Sequence, residues 1–253
     1  MQFSISRESF LKPLQVVSGV VERRQTLPVL SNVLLQLSDS ELSLTGTDLE
    51  VELIGRAQVD SAKLDGETTL PARKLLDICK SLPEGSLIDI SVVDNKVLLK
   101  SGRSRFTLAS LSASEFPKVD EEPGSFSLNI TQAKLKELLD ATSFAMAQQD
   151  VRYYLNGMLF EVGRDYLRVV STDGHRLAME TIRLESTVAE TQQLILPRKG
   201  IMELTRLLSD DDEEIKLTFG ANHIRVAIPE FTFTSKLVDG NFPDYNRVLP
   251  KGG

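Results

Sequence analysis

The 253-residue chain carries the same series of landmarks twice, about 125 residues apart, and this constrains its fold more than any other feature. Phe3-Ser4-Ile5 returns as Phe126-Ser127-Leu128, and Asn32 followed by Val33-Leu34-Leu35 returns as Asn156 followed by Gly157-Met158-Leu159. Thr47-Asp48 returns as Thr172-Asp173. Leu70-Pro71-Ala72-Arg73-Lys74 returns, one residue shorter, as Leu196-Pro197-Arg198-Lys199. Phe106-Thr107 with Phe116-Pro117 returns as Phe233-Thr234 with Phe242-Pro243. The order is kept and the offsets stay between 123 and 127. So long a period indicates duplicated domains rather than a short-repeat solenoid. A charged turn with Pro and Gly, Glu121-Glu122-Pro123-Gly124, puts the expected boundary at 122/123, giving domains 1–122 and 123–253.

Within each copy the periodicity predicts a strand, a helix, several strands, a second helix and more strands. Phe10, Leu14, Val17 and Val21 keep helical spacing, as do Leu75, Leu76, Cys79 and Leu82 after Pro71. The second-copy equivalents are Leu135, Leu138, Leu139 and Thr142, then Ile201, Leu204, Leu207 and Leu208. Alternating runs such as Ile88-Asp89-Ile90-Ser91-Val92 and Ile224-Arg225-Val226-Ala227-Ile228 read as half-buried strands. Two helices and about eight strands per copy imply an α+β class, with helices on one face of antiparallel sheet.

The charge is uneven. The four helices carry +1, +2, 0 and +2, which leaves −12 on the rest of a chain whose net charge is −7. If the helices share a face, that face is basic and can follow a phosphate backbone without reading bases. The plain alternative is that Lys and Arg populate solvated helix faces. No apolar run reaches the length of a membrane span, and the first residues lack a basic segment before an apolar core, so neither membrane contact nor a signal peptide is expected. The single cysteine, Cys79, forms no internal disulfide; it fits a reducing cytoplasm and reads as a small buried hydrophobe. Asp210-Asp211-Asp212-Glu213-Glu214 lacks the spaced ligands of a calcium loop and reads as a solvated turn; no metal or cofactor is expected.

Two clusters stand out as candidate sites. In Thr172-Asp173-Gly174-His175-Arg176-Leu177, Asp173 and His175 together invite a hydrolase reading. That reading needs a nucleophile or metal-bound water, and no Gly-x-Ser-x-Gly elbow, His-Glu-x-x-His or paired-Cys pattern supplies one. Thr-Asp recurs in both copies, so it is expected to be structural, an Asx-type turn. The change from Leu49-Glu50-Val51-Glu52 to Gly174-His175-Arg176-Leu177 marks either a specialised surface or drift in an exposed hairpin. The second cluster, Arg152-Tyr153-Tyr154-Leu155, replaces Pro28-Val29-Leu30-Ser31; its tyrosines are either inward anchors or flat amphipathic ligand surfaces.

These strings, with Leu44-Thr45-Gly46-Thr47-Asp48-Leu49-Glu50, Ser101-Gly102-Arg103-Ser104-Arg105-Phe106 and Thr234 to Asp244, resemble the β sliding clamps, the processivity subunits of bacterial DNA polymerase III, along the whole chain. The resemblance implies a DNA-clamp fold and a non-catalytic function. In the family, two chains of three similar domains close into a ring around duplex DNA, as a homodimer. It implies DNA-facing roles for Arg24, Arg73, Gln149, Tyr153 and Tyr154; Arg198 is a further DNA-facing candidate on charge and placement, as are Arg7, Lys12 and Arg103. It also implies a pocket for a linear motif from the polymerase III catalytic subunit, the clamp loader, other DNA polymerases and repair proteins. That pocket would use Arg152, Tyr154, Leu155, Thr172, Gly174, His175, Arg176, Leu177, Pro243, Arg247 and Val248. The dimer surface would use Lys74, Arg103, Arg105, Phe106 and Leu108. The period argument puts a three-domain chain at roughly 370–380 residues. This one stops at Pro250-Lys251-Gly252-Gly253, so the expectation is two domains, no native ring, apolar surface exposed around Phe106 and weakened peptide binding; the alternative reading is a peptide-binding module without DNA engagement.

Overall fold

A computed structural model describes the chain except residues 23–26, 118, 120–123, 185–187, 189 and 250–253. Arg24 and most of the expected boundary turn lie outside the described residues. The chain forms two compact units, Met1–Glu122 with Val226–Thr234, and Pro123–Arg225 with Ser235–Gly253. The hairpin Val226–Thr234 goes with the first unit although it lies in the second sequence copy. There Arg56 donates from its backbone N–H to the Glu230 carbonyl at 3.1 Å and from Nη2 to Thr232 Oγ1 at 3.0 Å.

In the first copy the order is β1 (Gln2–Ser6), α1 (Arg7–Val17), β2 (Asn32–Ser38), β3 (Glu41–Thr47), β4 (Val51–Gln58), β5 (Ser61–Leu64), β6 (Gly66–Pro71), α2 (Ala72–Ser81), β7 (Leu87–Val93), β8 (Lys96–Ser101) and β9 (Ser104–Ala109). One antiparallel sheet runs β5-β1-β7-β8-β9; β4, β3, β2 and β6 pair in that order in another. The second copy has β10 (Phe126–Thr131), α3 (Gln132–Thr142), β11 (Gly157–Val162), β12 (Tyr166–Thr172), β13 (Leu177–Arg183), β14 (Gln192–Pro197), α4 (Arg198–Leu207), β15 (Glu214–Phe219), β16 (His223–Ile228) and β17 (Phe231–Lys236). Its sheet β13-β12-β11-β14 carries the candidate pocket, and β10 pairs with β15. The architecture is α+β, with helices on antiparallel sheet in each unit.

The two copies start their helices by the same devices. Ser6 and Thr131 end a strand and cap the next helix, accepting from Ser9 N–H at 3.2 Å and Lys134 N–H at 3.4 Å. Pro71 and Pro197 end β6 and β14 and lead directly into α2 and α4, where a missing N–H costs nothing. Phe10, Leu14 and Val17 of α1 and Leu135, Leu138 and Leu139 of α3 are fully buried. Each such side chain contributes about 1.5–3 kcal/mol. Helix α1 ends at Val17, so Val21 falls beyond it and is only half-buried.

The strand ladders correct one expected correspondence. Leu34 faces Thr45 and Leu159 faces Val170; Thr47 faces Glu52 and Thr172 faces Leu177. Both pairs are related by the same 125-residue shift, which matches Asn32 with Gly157 rather than Asn156. Asn32 lies in β2 and donates to Thr69 Oγ1 at 2.9 Å, whereas Asn156 precedes β11 and brackets the Asp150 N–H and carbonyl, each at 2.9 Å. A one-residue slip would turn every side chain to the opposite face, so the buried face sets the register and the shared asparagine does not. Among the described residues no helix is long and apolar enough to cross a membrane.

Candidate peptide pocket and DNA-facing residues

Thr172 to Leu177 forms the tight link between β12 and β13. Thr172 Oγ1 donates to the Arg176 carbonyl at 2.7 Å and accepts from Gly174 N–H at 3.1 Å. Asp173 Oδ1 accepts from His175 N–H and Arg176 N–H at 2.9 and 3.0 Å. The first copy repeats the arrangement. Thr47 Oγ1 donates to the Val51 carbonyl and accepts from Leu49 N–H, while Asp48 Oδ1 accepts from Glu50 and Val51 N–H. Thr-Asp is therefore an Asx turn in both copies, as its recurrence predicts.

What differs is the surface the turn presents. Arg152 grips Asp150 in a two-pronged ion pair, Nε to Oδ1 at 3.0 Å and Nη2 to Oδ2 at 2.8 Å, and reaches the Asp173 carbonyl at 3.3 Å. A methyl group built on Gly174 would meet both terminal nitrogens of Arg152 at 3.0 Å. Glycine at this turn thus lets the guanidinium lie against the backbone. Arg176 pairs with Asp173 Oδ2 at 3.0 Å and lies over the exposed Phe144 ring, 5.6 Å from its centre.

A cavity of about 360 Å³ opens beside this turn. It is lined by Arg152, Leu155, Thr172, Gly174, His175, Arg176 and Leu177 on one side, and by Phe242, Pro243, Asp244, Tyr245 and Val248 on the other. Of the sequence-predicted pocket residues, Tyr154 and Arg247 stand outside this lining. Tyr154 is half-buried against the cluster of Leu159, Val170, Ile195 and Tyr245 beneath the pocket; Arg247 is exposed and pairs with Asp244 at 3.1 Å. Leu155 is buried, Leu177 half-buried and Val248 69% exposed, so the apolar wall runs from the sheet out to solvent.

The carboxylates near the pocket are committed to structure. The His175 and Arg176 N–H groups, then the Arg176 guanidinium, hold the Asp173 carboxyl at about 2. The Arg152 guanidinium, then its backbone N–H, holds Asp150 at about 2. Both Asp173 oxygens are engaged by the His175 and Arg176 N–H groups and the Arg176 guanidinium rather than by the His175 ring, an arrangement that builds a turn and not an Asp–His catalytic pair. Among the described residues no group of three or more His, Cys, Asp or Glu gathers as for a metal. Cys79 is buried in α2 and its thiol is pushed up to about 12 by desolvation.

Of the expected DNA-facing residues, Arg73 is exposed on α2, Gln149 is exposed at φ +54°, and Tyr153 is exposed edge-on to Tyr154, ring centres 5.7 Å apart. Arg198 is half-buried at the start of α4 and points Nη1 at the Met146 carbonyl, 3.5 Å away. Arg7 is drawn into the fold, donating to the Cys79 carbonyl at 3.0 Å, and Lys12 pairs with Glu230. Of the expected dimer residues, Lys74, Arg103 and Arg105 are exposed, Phe106 is half-buried and Leu108 is buried. Four of the five lie on or beside β9, which ends its sheet, so this edge offers a charged backbone strip more than an apolar patch.

The family model for the DNA polymerase III beta subunit, N-terminal domain, matches residues 1–120, and that for its central domain matches residues 129–244. The chain belongs to the β sliding clamp family. It is 62% identical over all 253 residues to the beta sliding clamps of Pseudomonas putida and Pseudomonas aeruginosa, covering 69% of each. It is 50% identical over 251 residues to that of Escherichia coli, covering 68% of it. The crystal structure of the Pseudomonas aeruginosa DNA polymerase III subunit beta superposes with a TM-score of 0.97 over all of this chain and 69% of that one. Caulobacter crescentus pol III beta does so with 0.94 at 36% identity, over all of this chain and 70% of that one. Clamps of this family are non-catalytic replication proteins, and this chain has the family's α+β DNA-clamp fold in two of its domains.

Three side chains of the clamp's pocket region escape sequence reasoning. Tyr245 is buried under the second wall, its hydroxyl donating to Glu161 Oε1 and Oε2, both at 3.0 Å. Arg168 Nη1 donates to Tyr245 Oη at 3.0 Å and pairs with Glu161 at 3.3 Å. Only the cross-strand pair Glu161–Arg168 has a signal in the chain, opposite charges facing each other across β11 and β12.

Proposed function

We propose that this chain acts as part of a DNA-encircling processivity clamp, and that its second unit docks short linear segments of polymerases, clamp loader and repair proteins in the pocket beside Thr172–Leu177. The observation that carries the reading is the convergence of Leu155, Leu177 and Val248 with Arg152, Arg176 and the free edge of the Thr172–Leu177 turn around one cavity. An extended peptide places apolar side chains against the first three while the polar groups hold its backbone. His175 and Pro243 complete the rim, with Arg247 exposed beyond it and Tyr154 supporting it from beneath.

DNA engagement rests on α2, where Arg73 and Lys80 are exposed, and on the loop with Gln149 and Tyr153. Such groups contact phosphates and sugars without sequence preference. The edge at β9, with Arg103, Arg105 and Phe106, is the surface we assign to a second copy in a homodimer. A cytoplasmic location follows from replication as the task. The test is fluorescence-polarisation binding of a labelled peptide carrying a polymerase's clamp-binding segment. Saturable binding that Leu177→Ala abolishes supports the docking reading; no binding at high micromolar protein, or binding indifferent to Leu177→Ala, removes it from this chain.

A further inference from the structure

We propose that Tyr245 is a positioning residue for the docking pocket, latching the strap Phe242–Val248 to the sheet through Glu161 and Arg168; this rests on the peptide-docking reading above. The pocket has two walls held in different ways. The Thr172–Leu177 wall is a tight link between strands and is bonded within itself. The strap belongs to no strand. Its backbone bonds, Arg247 N–H to the Asp244 carbonyl at 3.3 Å and Val248 N–H to the Tyr245 carbonyl at 3.1 Å, are internal, and so is the Arg247–Asp244 ion pair. The nearest backbone bond to the sheet is upstream, from Val238 N–H to the Ile195 carbonyl at 2.9 Å. Among the described residues, the hydrogen bonds from the strap to the sheet are those of the Tyr245 hydroxyl.

The latch is itself braced. Glu161 also accepts from Tyr166 Oη at 3.0 Å and Gln193 Nε2 at 2.7 Å. A buried carboxylate with this many donors has a set geometry, and the phenol it holds inherits that geometry. Tyr245 is 4% exposed, while Pro243, Asp244, Asn246, Arg247 and Val248 around it are exposed.

Among the described residues, the first copy has no counterpart of the Glu161–Arg168 pair. In ladder register Glu161 corresponds to Gln36 and Arg168 to Ser43. Gln36 still meets a cross-strand partner, Glu67, at 3.0 Å, but no guanidinium or phenol joins them. Phe116, at the start of the corresponding segment, is buried with Val29, Leu34 and Ala113, whereas the matching Phe242 is only half-buried. The polar latch thus occurs in the copy whose strap forms a pocket wall.

The experiment compares Tyr245→Phe and Glu161→Gln with the unaltered chain, reading peptide affinity by fluorescence polarisation and strap order by amide hydrogen exchange. Tyr245→Phe keeps the ring and deletes the hydroxyl. We expect peptide binding to weaken roughly tenfold, mainly through faster dissociation, with exchange accelerated at Asn246 and Val248 and unchanged in β11 and β12. Glu161→Gln turns an amide NH2 toward groups that all donate to Glu161 and leaves Arg168 unbalanced, so it should loosen the strap at least as much as Tyr245→Phe. Affinity within twofold of the unaltered chain, or unchanged strap exchange, overturns the proposal, as does equal acceleration in β11 and β12, which would mean a general loss of stability. If the unaltered chain binds no peptide, the docking reading fails, and strap exchange alone then decides the latch: acceleration sustains it, no change sinks it.

Discussion

Leu49 and Gly174 hold the same place in the same turn, one in each copy, at φ +77° and +89°. A leucine in this left-handed region is strained, and the turn tolerates it because Thr47 and Asp48 supply four hydrogen bonds around it. In the second copy glycine removes the strain and clears the space that the Arg152 guanidinium fills.

Gly174→Ala should therefore cost about 1–2 kcal/mol of stability. In a chain of this size that is a fall of about 2–4 °C in Tm per kcal/mol, read by calorimetry. The new methyl also presses on Arg152, so peptide affinity should drop further than stability alone accounts for. Leu49→Gly provides the control: relief of strain offsets glycine's entropy in the unfolded chain, leaving stability within about 0.5 kcal/mol of the original.

The two threonines of this turn should not be equal. Thr47 is 1% exposed and Thr172 half-buried, yet each hydroxyl makes the same two bonds. Removing a buried hydroxyl leaves its partners without water, so Thr47→Ala should cost about 2 kcal/mol and Thr172→Ala about 1. Urea unfolding of the two variants measures the difference, and equal losses would mean that burial does not set the cost.

Much of this turn was legible in the chain. Thr-Asp at matched positions is a local pattern, and an Asx turn needs only neighbours two and three residues on. The helices were legible for the same reason, through spacing and through Pro71 and Pro197. The Tyr245 latch was not, because its bonds to Arg168 and Glu161 span 77 and 84 residues and no local rule pairs a tyrosine with a strand so far away. The slip between Asn32 and Asn156 has a similar origin: identity of a single polar residue outweighed the strand register in reading the repeat. Phe106 and Leu108 are placed at the dimer surface by the family resemblance, which carries no burial, and their own unit already covers much of both.

Acid should open the pocket turn late. Asp173 and Asp150 both titrate at about 2 in the folded chain, below the ordinary carboxyl value of 3.8. The ionised forms are the ones the fold favours, so their contribution is complete above about pH 4 and is lost as pH falls through 2. Amide shifts of His175 and Arg176 followed by NMR should stay level from pH 7 to about 4 and move with a midpoint near 2. A midpoint near 4 would show that the turn does not hold Asp173 as described.

Arg73 and Arg198 should separate DNA contact from structure. Arg73 is exposed on α2, whereas Arg198 is half-buried with its guanidinium toward the Met146 carbonyl. Arg73→Ala should leave Tm within about 1 °C, since exposed substitutions change stability little. It should weaken duplex binding at low salt and flatten the dependence of log affinity on log salt by about 1, the share of one phosphate contact. Arg198→Ala should lower Tm as well as DNA binding, because the vacated space lies inside the second unit. Filter binding of a short duplex at several salt concentrations, beside calorimetry, reads both. An unaltered salt slope in Arg73→Ala would remove α2 from the DNA-facing surface and leave the chain a peptide-docking module alone.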